Sequence, residues 1–315
     1  MVLGRTCSES LTTGPTDEQH DANSDGDPKM GPMTSWVDGV CETNGSQTHY
    51  IRTGGSKPSV VLLHGLMGSG ATWTPLARAL EAGFDVVMPD ARGHGRSSAP
   101  KPGHGYNDLA SDVVALITGL DLMRPVLVGH SMGAMTATIA AGSSDLDLAG
   151  LILVDPTFLD AERQQQVWES DVAGQHGEAL TRLRSELLAE ARARHPHRSA
   201  EIVELQVDAR LRTHMNTFDV HRPPNPEYRH LIGELELPIL LIIGDTPVVS
   251  PEIAAELSAI NSHVQIEQIP NAGHGLPFDQ PEHLARTVVT FLGLYGRPAK
   301  VASTERADPN ETLKR

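Results

Sequence analysis

Residues 124–134 read RPVLVGHSMGA, and the fold turns on them. A continuous apolar run, of the kind found in a fully buried parallel strand, meets Gly129-His130-Ser131-Met132-Gly133, and a helical pattern begins at once. Glycines on both sides of a serine, at a strand-to-helix junction, permit a tight turn that lifts the hydroxyl above the sheet edge beside a helix N-terminus. The same residues would also serve a glycine-rich packing turn with an incidental serine. The neighbouring segments decide between the two.

Outward from this turn the pattern alternates. Buried-strand runs occur at PSVVLLHG (58–65), FDVVMPD (84–90), LAGLILVDP (148–156), LPILLII (237–243) and VQIEQIP (264–270). Helical patterns separate them, around Thr72–Ala82, Tyr106–Leu120, Ser131–Ala141, Pro251–Ile260 and Pro281–Leu294. Such alternation calls for an α/β fold, a doubly wound and mostly parallel sheet with helices on both faces. Ahead of it, SWVDGVCETNGSQTHYIRTG (35–54) reads as a hairpin turning at Asn44-Gly45. The alternation breaks once. Residues 157–231 hold no strand-like run but long amphipathic stretches such as GEALTRLRSELLAEARARH (177–195), which read as an inserted helical cap. The expected organisation is a core over 34–156 and 232–296, the cap over 157–231, a disordered arm over 1–33 and a loose tail over 297–315, the last two being poor in large apolar residues.

The chain has 315 residues, a formal net charge of −15 and two cysteines, Cys7 and Cys41. That charge argues against nucleic-acid binding or attraction to an anionic membrane surface. Two cysteines make neither a disulfide framework nor a Cys-rich metal site. No apolar run approaches the ~20 residues needed to span a bilayer. The first 33 residues have no apolar stretch of a secretory signal, so a cytoplasmic location is expected.

Two further segments carry chemistry. VVLLHGLMGSG (60–70) ends a strand in a Gly-rich loop. Attack by a serine on a carbonyl makes an oxyanion that needs preorganised donors, and the backbone N–H groups of Met132 and Leu66 are the expected pair. IPNAGHGLPFDQPEHL (269–284) places His274 in a Gly-flanked loop before the final helix, where a general base for Ser131 belongs. His283 falls within helical periodicity and reads as a surface residue. His64 and His94 read as structural parts of their loops. His195 and His197 lack a carboxylate or cysteine at ligand spacing, so no metal is expected there.

With these segments in hand, the chain resembles the α/β-hydrolase family from about Trp36 to Leu294: LLHGLMGSGATW, PDARGHGRSS, VGHSMGA and NAGHG stand in the family's order and spacing. The resemblance implies an eight-stranded sheet, a cap over the active site and hydrolysis without a cofactor. Relatives that open epoxides or remove halides have an aspartate where this chain has Ser131. The triad's acid is the open question. In the commoner layout it ends a G-x-x-D after the seventh strand, and here that register gives Gly244, Asp245, Thr246 and Pro247. A proline cannot orient an imidazole. Asp245 remains one candidate, through a shifted loop. The other is Asp155, at the carboxyl end of the sixth strand, a place used by certain small esterases and fungal lactone hydrolases. Some of those esterases also have a turn resembling GDTPVV, and the two features together favour Asp155.

The expected function is acyl transfer: hydrolysis of a carboxylic ester or lactone by Ser131, His274 and Asp155 or Asp245. A thioester or a carbon–carbon bond is an alternative substrate, and a hydrolase-fold ligand receptor with slow turnover is a rival of another class. Met67, Trp168, Met215 and Phe218 are candidates to line an apolar pocket, or else belong to the packing of their own segments. The expected partner is a small ester-like molecule, the expected assembly a monomer or homodimer.

Overall fold

Fully buried five-residue segments, mostly apolar, build the centre of the sheet. A computed structural model describes residues 7–11 and 36–296. Its strands are β1 (Cys7–Leu11), β2 (Val37–Thr43), β3 (Ser46–Arg52), β4 (Ser59–Leu63), β5 (Asp85–Pro89), β6 (Val126–His130), β7 (Gly150–Val154), β8 (Ile239–Ile243) and β9 (Val264–Gln268). They form one sheet in the order β1-β2-β3-β5-β4-β6-β7-β8-β9. From β5 to β9 every neighbouring pair is parallel, while β1, β2 and β3 pair antiparallel. Parallel strands need crossovers, and the helices that supply them cover both faces.

The side-chain alternation of each strand divides the core into two layers. Val61, Leu63, Leu127 and Leu153 face one way, into a layer closed by α2 (Tyr106–Gly119) and α3 (Met132–Ala141). Val60, Leu62, Val128 and Val154 face the other, against α1 (Thr74–Leu80) and the last helix (Pro281–Tyr295). The strand β9 is exposed at four of its five positions, as a polar edge strand should be.

The sheet holds one strand more than the eight implied by the resemblance. Residues 7–11, expected in a disordered arm, form β1 and add to the edge at β2, with Cys7 opposite Cys41. A disulfide joins that pair. The segment CSESL has no apolar alternation of its own, but a strand needs only an open edge, and a covalent link fixes it there. The remainder of the expected arm and the expected tail lie outside the described residues.

Between β7 and β8 run five helices: α4 (Ala161–Trp168), α5 (Val172–Ala179), α6 (Arg184–Arg194), α7 (Ala200–Leu211) and α8 (Tyr228–Gly233). Leu187, Leu188, Val203 and Val207 give the insertion a small core of its own. Tyr228 and Ile232 of α8 instead join the main layer under α3, so the core resumes a few residues earlier than position 232. Ion pairs tie the insertion down, Arg78 to Glu201 and Arg198 to Asp279. Among the described residues no helix is long and apolar enough to cross a membrane.

Candidate active site

Ser131 sits between β6 and α3 with φ 54° and ψ −117°, a strained backbone that a non-glycine residue rarely adopts. The two glycines make it possible. A Cβ on Gly133 would strike the carbonyls of Leu63 and His64, and one on Gly129 would strike the backbone of Gly133. The turn is therefore pressed against the end of β4, and its serine stands at the N-terminus of α3.

His274 Nε2 lies 2.9 Å from Ser131 Oγ, and its Nδ1 lies 2.6 Å from Asp155 Oδ2. The three residues come from the ends of three segments, the last pair separated by 119 positions. A carboxylate on one ring nitrogen fixes the tautomer: Nδ1–H donates to Asp155, which leaves Nε2 to accept the serine proton. Asp155 is fully buried, with φ 41°. A buried carboxylate must be supplied with donors. The backbone N–H of Val248 provides one at 2.9 Å and that of Val249 another at 3.1 Å.

Asp245, the competing acid, is exposed and faces elsewhere. Its carboxylate accepts the Asn271 N–H at 2.6 Å, and its own N–H donates to the Ala272 carbonyl at 2.7 Å. It braces the base loop from behind. The turn GDTPVV, which lacks the expected carboxylate at Pro247, contributes its Val248 and Val249 amides to Asp155 instead. Backbone donors leave no signal in side-chain identity, so the sequence of this turn does not reveal them.

The oxyanion candidates flank the nucleophile. Met132 opens α3, so its N–H is one of those with no partner inside the helix. Leu66 follows Gly65, where a Cβ would stand 3.2 Å from Ser131 Cβ, so a side chain there would be tightly packed against the nucleophile turn. Gly65 is thus part of the site. His64 and His94 support the turn from beneath: His64 bonds the Gly65 carbonyl at 2.8 Å, and His94 Nε2 accepts the Met67 N–H at 3.3 Å. Burial, with His64 as the next influence, lowers the pKa of His94 to about 3, and burial lowers that of His64 too. Both therefore act as neutral acceptors and donors, in keeping with a structural role.

The pocket candidates scatter. Met67 lies on the turn after Leu66 with φ 62°. Phe218 is buried between His176 and His221 within the cap. Trp168 is half-exposed beneath the Arg222 guanidinium, and Met215 packs beside Gly177. A cleft of about 470 Å³ opens between the start of α2 and residues 219–226, and none of these four lines it. Tyr106, which lines it, bonds Thr157 Oγ1 at 2.8 Å, and the Thr157 N–H donates to the Ser131 carbonyl at 3.4 Å. His195 and His197 do gain a carboxylate that the sequence could not reveal, Asp279 from across the cap–core seam. Arg198 already donates to that carboxylate at 2.7 Å, and a guanidinium on the same oxygen opposes a cation. The group is an ion-paired latch between cap and base loop.

Comparison with known proteins bears on the family. The model of the alpha/beta hydrolase fold family matches residues 58–281. N-formylmaleamate deformylase of Pseudomonas putida is 28% identical over 81% of this chain and 96% of its own. Esterase YbfF of Escherichia coli is 24% identical over 74% of this chain and 92% of its own. Among solved structures, the N-formylmaleamic acid deformylase of Pseudomonas putida S16 superimposes with a TM-score of 0.65 at 25% identity, over 78% of this chain and 97% of that one. With a strained serine elbow, a histidine loop beside it and a match spanning most of the sheet, this chain belongs to the α/β-hydrolase family.

Proposed function

We propose that the protein is a serine hydrolase that cleaves a carboxylic ester or lactone through an acyl-enzyme intermediate. The observation that carries this reading is the hydrogen-bonded series Ser131 Oγ–His274 Nε2 at 2.9 Å and His274 Nδ1–Asp155 Oδ2 at 2.6 Å. His274 takes the Ser131 proton as the oxygen attacks the carbonyl carbon, and the carbonyl π electrons become the oxyanion. The Leu66 and Met132 amides are the proposed donors to that charge. The imidazolium then gives its proton to the departing alkoxide, and Asp155 stabilises it until then. Water, deprotonated by the same imidazole, attacks the acyl-enzyme and frees the acid and Ser131.

A second reading is a small activated amide, favoured by the resemblance to N-formylmaleamate deformylase across nearly all of that protein. The same residues would serve, with the proton delivered to nitrogen. The Cys7–Cys41 disulfide weighs against the cytoplasmic location expected from the sequence, since such bonds are rare where thiols are kept reduced.

Steady-state hydrolysis of p-nitrophenyl butyrate, a γ-lactone and an N-formyl amide tests the proposal. Turnover of the ester or lactone in the ordinary enzymatic range, roughly 1–10³ per second, supports it. Preference for the amide would favour the second reading. No turnover of any, with tight binding of a substrate-like ligand, would point to a receptor.

A further inference from the structure

We propose that His130, the residue before the nucleophile, is a positioning residue that holds the base loop and the oxyanion turn in register with Ser131. This rests on reading the site as a Ser131–His274 hydrolase. His130 is 7% exposed, and its Nε2–H donates to the backbone carbonyl of His274 at 2.8 Å. That bond spans 144 residues of sequence and is anchored one residue from the nucleophile. The His130 ring also lies 5.0 Å from the His274 ring and meets Phe278 edge-on at 5.9 Å, so it touches the base loop at two further points. Its other side faces the oxyanion turn, since a Cβ on Gly65 would stand 3.0 Å from His130 Nδ1.

One imidazole therefore fills the space where the nucleophile turn, the oxyanion turn and the base loop meet. Donation to a carbonyl requires hydrogen on Nε2, which places the acceptor lone pair on Nδ1. Burial first, and then the neighbouring His274, lower its pKa to about 3. His130 stays neutral and does not compete with His274 for the serine proton. Its bond instead fixes the main chain from which the His274 imidazole projects. Catalytic geometry tolerates little error, and a displacement of about 1 Å can cost about 10²-fold in rate. Without the donor, the His274 carbonyl would also lose a buried partner.

Two variants separate positioning from packing. Gln has its amide nitrogen the same number of bonds from Cβ as His Nε2, so His130→Gln keeps the donor. His130→Met keeps the length and loses the donor. The readouts are kcat and KM on p-nitrophenyl butyrate and the rate at which a fluorophosphonate labels Ser131, with melting curves to show that each variant folds. His130→Met is expected to lose about 10²-fold in kcat with KM within about twofold, and His130→Gln to recover most of the loss. A folded Met variant with wild-type kcat, or a folded Gln variant as impaired as Met, overturns the proposal. Should the Met variant not fold, the Gln variant decides alone: near-wild-type kcat supports the proposal, and a loss of about 10²-fold overturns it. If the wild type is labelled but hydrolyses no ester, the ester reading fails by itself and the labelling rates of the variants decide in the same way. A wild type that is not labelled overturns both.

Discussion

The turns after β7 and β8 lie on neighbouring parallel strands, and each presents an aspartate, yet the two carboxylates live in different surroundings. Asp155 is fully buried and accepts from two backbone amides and from His274. Asp245 is exposed, beside Asn271 and Gln268. Charge stabilisation of an imidazolium is strong where water is excluded and weak where it is not. The turn after β8 has no carboxylate at Pro247, yet it contributes two backbone amides to Asp155. Pro247 has no N–H to offer, but the two residues after it donate to the acid on the adjacent strand. The seam between β7 and β8 is thus a single unit, with the acid on one side and its donors on the other.

Removing the proposed nucleophile sets the floor against which the two acids are compared: Ser131→Ala is expected to lose about 10⁶-fold in kcat, read by steady-state kinetics. A residual rate near wild type would move the chemistry away from the elbow altogether. Asp155→Ala strikes next. Beyond lost turnover, it leaves the Val248 and Val249 amides without their acceptor, so a urea midpoint should report destabilisation of about 2–3 kcal/mol. Unchanged stability would mean that the seam closes without its carboxylate. Replacing both cysteines by serine leaves β1 on β2 by its ladder alone, with an expected loss of about 2–4 kcal/mol in stability and no change in kcat, because the bond lies at the far edge of the sheet. A matching fall in kcat would tie that edge to the site.

Stability should also depend on pH. His94 and His130 have folded pKa values lowered to about 3, against about 6.5 in an unfolded chain. Between those values the unfolded chain binds more protons, so stability is full above about pH 6.5 and declines as pH falls toward 3. A urea midpoint that is the same at pH 7.5 and pH 5 would contradict the buried, neutral state of both rings.

Much of the fold was legible because strand and helix periodicities were long and undisturbed; the helix Pro251–Ile260 was read at its observed limits. The elbow was legible because Gly129 and Gly133 are demanded by contacts that no other residue allows. The strand β1 was not, since CSESL has no apolar alternation and gains its structure from the edge of β2 and from Cys41. His130 escaped notice because a five-residue pattern assigns its second position no task. Asp279 beside His197 escaped it because 82 residues separate the two. Side-chain partners brought together by tertiary packing leave no local signal, and the backbone donors of Val248 and Val249 leave none in any side chain.

The most direct measurement is the kcat of Asp155→Asn and Asp245→Asn on p-nitrophenyl butyrate, each compared with wild type and each verified as folded. The expected result is a loss of about 10⁴-fold in Asp155→Asn, through the wrong imidazole tautomer, against a loss of about threefold or less in Asp245→Asn. The reverse pattern, with Asp155→Asn active and Asp245→Asn not, would contradict the assignment of the acid to the end of β7.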